Sequence, residues 1–317
     1  MSSTPKKKKK RPASKQKKGP KPKRFPGLFL HIILFLFLAL PLAITFLVPR
    51  PPVSNIEKPP FEDFSKPPPK EPKPPKKPTK KIHKPVKHLP LVAIIIDDMG
   101  YDYATDKRFI TLEAPLSFAF LPYGPNTKRL ARLAHSKRKD VLVHLPMEPD
   151  NKAFDPGPGV LTLDMDVDSL LETLGQDIKQ VPGAIGVNNH MGSRFTQDRR
   201  AMEYVLEYIK DRGLFFIDSR TTKKTVAMEV ARALGVPCGE RAVFLDHSDN
   251  KREIERELRR LIKVAKREGE AIGIGHPHKI TYEVLYRYLP LMLKEVRLVP
   301  VHKLVHVGGL QGQRQHP

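Results

Sequence analysis

A single cysteine, Cys238, occurs in 317 residues, so no disulfide can close within the chain and no thiolate-rich metal site can be built. With no catalytic base beside it in sequence, Cys238 reads as a small apolar packing residue. One cysteine fits either side of a bacterial inner membrane. Three motifs are also missing. There is no Gly-x-Ser-x-Gly elbow, no Walker loop and no Gly-x-Gly-x-x-Gly after a strand; Gly273-Ile-Gly275 runs into His276-Pro277 and cannot cradle a phosphate. Serine-esterase, P-loop and dinucleotide chemistry are thereby excluded. Acids are absent from residues 1–26, a basic tail with lysines from Lys6 to Lys10 and a further scatter to Arg24. Such a tail buries nothing, which predicts disorder.

A long apolar run comes directly after the tail. Residues 27–48 form a 22-residue stretch interrupted only by His31, Pro41 and Thr45. As a helix it would span roughly 33 Å, close to the ~30 Å hydrocarbon core of a bilayer. A secretory signal has a shorter apolar region and a small-x-small cleavage site, so the run is expected to be an uncleaved anchor. The positive-inside rule keeps the basic tail cytoplasmic and sends the rest of the chain into the periplasm. Residues 49–90 are rich in proline and lysine, with thirteen of the chain's 33 prolines between 51 and 90. That composition predicts an extended, disordered spacer that reaches on the order of 100 Å. The net charge of +23 is mostly here: residues 1–90 hold 23 Lys and Arg against 4 acids, leaving 34 against 30 for residues 91–317. A nearly balanced domain argues against a specific nucleic-acid partner. The basic segments suit anionic lipid head groups or an anionic envelope polymer instead.

From 91 to 307 short apolar runs alternate with helical periodicity. Strands are expected at 92–98, 116–122, 140–146, 184–190, 214–218, 242–246, 271–276 and 297–301. Helices are expected at 126–135, 167–180, 198–211, 221–234, 250–268 and 281–294, several with end signals: Asp198 as N-cap, and Gly213, Gly235 and Gly269 past helix ends. This alternation predicts an α/β domain with a parallel sheet covered by helices. Seven or eight such units favour a distorted (β/α) barrel, with a doubly wound open sheet as the alternative. Residues 308–317 read as a disordered tail.

The domain is organised around Leu91-Val-Ala-Ile-Ile-Ile-Asp-Asp-Met-Gly100, where a run with no polar alternation stops at two carboxylates. Such a run suits a strand buried on both faces. Asp97 and Asp98 then lie at its carboxyl end, the edge where α/β proteins bind ligands. Other expected strands end likewise: His144 and Glu148 after the third, Asn188, Asn189 and His190 on the fourth, Asp218 on the fifth, Asp246 and His247 on the sixth, His276 and His278 after the seventh. Any one of these caps a helix or satisfies a local hydrogen bond. Together, on one edge, they describe a site assembled from several strand ends. Carboxylates and imidazoles without paired cysteines suit zinc or a similar divalent ion, which implies metal-assisted hydrolysis.

The motifs Ile96-Asp-Asp-Met-Gly100, His144-Leu-Pro-Met-Glu-Pro149, Asn188-Asn-His-Met-Gly-Ser-Arg194, Phe216-Ile-Asp-Ser-Arg220 and Gly273-Ile-Gly-His-Pro-His278 resemble the divergent polysaccharide deacetylase family, distant relatives of the NodB-type carbohydrate esterases. The resemblance covers about 91–307. It implies a distorted (β/α) barrel, a divalent metal, and removal of acetyl groups from N-acetylated sugars of a cell-envelope polysaccharide. The NodB-type pattern makes Asp97 the base and Asp98 a metal ligand. Two metal histidines then come as His-x-x-x-His, where this chain has His144 and Glu148, so the third ligand is either Glu148 or His190. His190 is preferred, because an imidazole reproduces the ligand set. The family's late-strand general acid matches His276, with His278 as second choice, while Arg194 and Asp218 are candidates for supporting the site residues from behind or for orienting substrate. An inactive deacetylase kept as a glycan-binding or envelope-assembly module is the alternative reading.

Overall fold

The first strand, β1 (Leu91–Met99), is buried along nearly its whole length, and a strand can be apolar on both faces only if something covers each. The covering is visible in the computed structural model, which describes residues 89–308. The expectations for 1–26, 27–48, 49–88 and 309–317 lie outside the described residues. No helix among those described is long and apolar enough to cross a membrane.

After β1 come α1 (Tyr103–Ile110), β2 (Ser117–Phe120), α2 (Thr127–Ser136), β3 (Val141–Met147), α3 (Val167–Gln180), β4 (Gly186–Met191), α4 (Arg199–Lys210) and β5 (Phe215–Asp218). The chain continues through α5 (Ala227–Leu234), β6 (Cys238–Glu240), β7 (Val243–Phe244), α6 (Lys251–Glu268), β8 (Glu270–Gly275), α7 (Lys279–Met292) and β9 (Arg297–Leu298). Every strand pairing is parallel, in the order β6-β5-β4-β3-β2-β1-β8-β7, with β9 beside the start of β1. The two ends of this order, β6 and β7, are separated in sequence only by Arg241 and Ala242. One extended segment therefore pairs with β5 through Cys238–Glu240 and with β8 through Val243–Phe244. The sheet curls into a distorted (β/α) barrel.

Strand alternation sorts the core into two layers. Ala93, Ile95, Ala119, Leu142, Phe215, Ile217, Ile272 and Ile274 fill the barrel, closed at its foot by Val299, Val301 and Leu304. Val92, Ile94, Ile96, Val143, Val187 and Phe216 point outward and pack with the helices. Asp97 and His144 share the parity of the inward set, which places them in the layer above Ile95 and Leu142.

Four expectations differ in detail. Helix α1 is not among the expected elements; Asp102 caps it by accepting from the backbone of Ala104 and Thr105. Strand β6 is also additional, since Cys-Gly-Glu shows no alternation. The helix expected at 221–234 starts only at Ala227, because Asp218 accepts from Arg220 N and Thr225 Oγ1 and holds 219–225 as a loop. The last strand keeps two residues, after which the chain turns inward to seal the foot.

Asp177 of α3 is fully buried beneath Tyr123, and neither carboxylate oxygen has a well-formed hydrogen bond. Burial pushes its carboxyl up to about 8, against a weaker pull from the Tyr123 hydroxyl. A carboxyl with a raised folded-state value binds its proton more tightly folded than unfolded. Its stability contribution is therefore complete below about pH 4 and declines up to about pH 8, by up to about 1.4 kcal/mol per pH unit. Denaturant titrations of wild type and Asp177→Asn should give a stability difference that changes with this slope between about pH 5 and pH 8. A difference independent of pH would contradict the assignment.

Candidate metal centre

Neighbouring residues of a regular strand face opposite ways, so Asp97 and Asp98 cannot both look into the barrel mouth unless the strand breaks its pleat. It does so. The β1–β2 register slips between Ile96 and Met99, and Asp98 adopts a left-handed φ of 53°. This bulge turns Asp98 into the mouth beside Asp97. Gly100 comes two residues later at φ 121°, where a Cβ would lie 2.2 Å from Thr127 Oγ1, so the glycine after the paired acids is required by the turn.

His144 on β3 is in register with Asn188 on β4. Asn188 Nδ2 donates to Asp97 Oδ1 at 2.8 Å, which leaves its amide oxygen 2.9 Å from His144 Nδ1. That oxygen can only accept, so His144 carries its proton on Nδ1 and turns the Nε2 lone pair to the cleft. There Nε2 lies 3.1 Å from Asp98 Oδ1 and 3.1 Å from His190 Nδ1, and the last two atoms are 3.0 Å apart. Asp98 Oδ1 is buried without a hydrogen-bond partner. Two of the three converging atoms, His144 Nε2 and Asp98 Oδ1, are acceptors and repel one another unless a proton or a positive ion sits among them.

A divalent ion fits the requirement. Ligand atoms ~2.1 Å from a common ion at angles of about 95° are separated by about 3.1 Å, and the donor set of two imidazoles and one carboxylate is of the kind zinc takes. The electrostatics agree. Burial pushes the Asp98 carboxyl up, but the close approach and charge of His144 and His190 outweigh it and hold the group well below the usual carboxylate range. Burial pushes the His144 imidazole down, yet Asp97 and Asp98 together raise it above its ordinary value. Both shifts come from carboxylates and imidazoles crowded together, each favouring the other's charged form.

Two further groups flank the triangle. Burial lifts the Asp97 carboxyl above its ordinary value against the pull of His144 and His276. His276, just past β8, contacts Asp246 Oδ1 through Nδ1 at 2.9 Å, while its backbone N–H and Thr281 Oγ1 both donate to Asp246 Oδ2. Burial pushes His276 down, but the Asp246 bond and charge, helped by Asp97 and Asp98, lift it to about 9. Its Nε2 is 3.8 Å from Asp98 Oδ2, facing the cleft. The cleft has a volume of about 400 Å³. Asp98, Met191 and Arg220, three of the four non-glycine residues at positive φ among those described, all line it. Strained backbone is thus concentrated at the ends of β1, β4 and β5.

The remaining candidates lie elsewhere. Glu148 sits one residue past β3, where the chain already bends to bridge Leu161. Its carboxylate pairs with Arg194 Nη1 at 3.0 Å and accepts from Leu163 N, so Glu148 and Arg194 tie two connections together and neither joins the triangle. Asp218 has the outward parity of Phe216 and fixes the 219–225 loop. His278 stands near Asp246 and His276, but the Asp246 oxygens are already taken by hydrogen bonds. Sequence reasoning missed Arg241, which reaches the cleft by donating to the carbonyls of Ser219 and Arg220. Only the partner switch of the closing strand brings it there, and nothing in the sequence signals that.

A family model described as divergent polysaccharide deacetylase matches residues 94–305. An uncharacterized protein of Escherichia coli, YibQ, is 35% identical over 215 residues, covering 68% of this chain and 67% of that protein. An uncharacterized protein of Haemophilus influenzae is 35% identical over 213 residues, covering 67% and 76%. The crystal structure of an uncharacterized protein from Agrobacterium tumefaciens is similar with a TM-score of 0.65 at 25% identity, over 69% of this chain and 90% of that one.

Proposed function

The chain belongs to the divergent polysaccharide deacetylase family, and from that premise we propose that it is a metal-dependent amide hydrolase that deacetylates an N-acetylated polysaccharide of the cell envelope. The observation that carries the reading is the triangle of Asp98, His144 and His190 with Asp97 on one side and His276 on the other. A divalent ion held by the three, most plainly zinc, would polarise the acetamide carbonyl and acidify water. Asp97, raised by burial and anchored by Asn188, accepts the proton of the attacking water. His276, protonated and oriented by Asp246, delivers a proton from Nε2 to the departing sugar nitrogen. The residues that fix these two groups are packed, so neither has to be reorganised when the reaction occurs.

In this reading residues 27–48 anchor the chain in the inner membrane by a single helix and the proline- and lysine-rich spacer carries the domain into the periplasm, where the glycan is. The basic tail ahead of the apolar run supports that orientation. The alternative, an inactive module for glycan binding or envelope assembly, draws on one observation: Glu148 stands where the wider pattern has its second histidine. Acetate release from N-acetylated glycans by zinc-loaded protein tests the two readings, alongside C-terminal reporters of periplasmic and cytoplasmic exposure. Turnover with a periplasm-only reporter signal is expected. Bound zinc with no acetate released would select the alternative, and a cytoplasmic signal would reverse the orientation.

A further inference from the structure

Every exposed large aliphatic side chain among the described residues lies at the foot of the barrel or at the helix end beside it: Leu89, Ile185, Leu291, Leu293 and Val307, between 39% and 66% exposed. The mouth, which carries the metal centre, exposes none. Three of the five meet where β1 begins. Leu89, Pro90 and Leu91 line a broad basin of about 1120 Å³ together with Lys266, Gly269, Lys294, Glu295 and Arg297. Backbone bonds fix these pieces against one another: Leu91 N–H donates to Gly269 O at 2.9 Å, and Arg297 N–H to Pro90 O at 2.9 Å. Lys294 N–H donates to Leu291 O at 3.2 Å, so Leu291 stands one turn before Lys294 on the same face of the α7 end, with Leu293 between them.

The basin is also positive. Its one acid, Glu295, is ion-paired with Lys266 at 2.5 Å, whereas Lys294 and Arg297 pair with no acid among the described residues. Helix dipoles do not account for these two. Lys266 and Arg267 end α6 as a dipole asks, but α7 has no basic residue in its last turn and Arg297 belongs to a strand. Nor does a dipole call for exposed leucines.

Charge and shape together select an occupant. At this volume the basin exceeds ordinary small-molecule sites and is a surface feature. The chain's own residues 1–90, with 23 Lys and Arg against 4 acids, are repelled by it, and a second copy presents the same cations. A soluble polyanion satisfies the cations but leaves the leucines in water. The surface of an anionic bilayer answers both, with head groups for Lys294 and Arg297 and the acyl boundary for the leucines. The preceding chain enters the domain at Leu89, in this basin, so a tether draws the foot and not the mouth toward its anchor. We propose that the foot around Leu89, Leu291, Leu293, Lys294 and Arg297 docks on an anionic phospholipid surface and keeps the metal centre turned away from the membrane. The tethering rests on reading residues 27–48 as the anchor; the docking face does not.

Hydrogen exchange tests the proposal on the full chain reconstituted with vesicles of phosphatidylcholine alone or of phosphatidylcholine and phosphatidylglycerol in equal parts. Amides of residues 289–297 are expected to exchange several-fold more slowly in the anionic vesicles, and high salt should remove the difference. Lys294→Glu and Arg297→Glu, both at exposed positions, should each reduce the protection roughly 5-fold or more, as loss of one surface cation implies. Leu291→Ser combined with Leu293→Ser should reduce it likewise, while Arg297→Lys should retain it. Equal exchange in the two vesicles, or protection that survives both charge reversals, overturns the docking face. Protection found in native membranes and not in protein-free anionic vesicles assigns the face to a protein partner and overturns it too. A chain that fails to float with the vesicles overturns the anchor reading instead, and the same exchange measured with anionic vesicles added to the soluble chain still decides the docking face.

Discussion

His144→Ala, His190→Ala and Asp98→Ala are each expected to leave the dialysed protein with almost no divalent metal, against one ion per chain in the wild type. The three ligand atoms form a triangle with sides of 3.0 to 3.1 Å, so removing any one takes away a third of the ligands the protein offers. Even groups that merely support a ligand typically cost 10- to 100-fold in metal affinity, and a direct ligand should cost at least as much. Glu148→Gln separates this arrangement from the one in which the His-x-x-x-Glu pair supplies two ligands. Glu148 is committed to Arg194 and to the backbone of Leu163, so its variant should keep the metal. Elemental analysis after dialysis reads all four proteins. Full metal loss in Glu148→Gln with retention in His190→Ala would reverse the assignment.

Asp97→Asn and His276→Ala should show the opposite pattern, with metal retained and acetate release lowered by roughly 10²- to 10⁴-fold each, the usual worth of a positioned acid or base. Asparagine at 97 keeps the shape that meets Asn188 but cannot take up a proton at neutral pH. The pH dependence comes from His276. Its value is raised to about 9, so the protonated form needed to serve the leaving nitrogen persists through neutral pH and is lost as pH rises through that range. Asp246→Asn removes the carboxylate that does most of the lifting, and the alkaline fall in rate should move to lower pH while metal content stays constant. Hydrolysis that survives in either Asp97→Asn or His276→Ala would remove that residue from the reaction.

These roles are partly legible in the amino-acid sequence. The buried run ending at Asp97 and Asp98, the histidines at later strand ends and the strand-helix alternation are local signals, and local signals set both the barrel and the edge at which the residues meet. Preference for His190 over Glu148 needs only the neighbourhood of the third and fourth strand ends, which the β3–β4 register places side by side. What stays hidden depends on long-range closure. The bulge that aims two adjacent aspartates at one cleft arises from the mismatch of β1 against β2, and the route of Arg241 into the site arises from a strand that exchanges partners midway. Asp218 shows a simpler ambiguity: an Asp at a strand end looks the same whether its carboxylate faces the barrel or fixes a loop, here the one whose Ser219, Arg220 and Thr221 line the cleft. One-residue parity decides between them, and a four-residue strand with no polar alternation does not display its parity in sequence.

The most direct test of the account is crystallographic. Diffraction data from zinc-soaked crystals collected on both sides of the zinc absorption edge should show one anomalous peak per chain, within bonding distance of Asp98 Oδ1, His144 Nε2 and His190 Nδ1. A peak at Asp246, His276 and His278 instead, or none at saturating zinc, would contradict it.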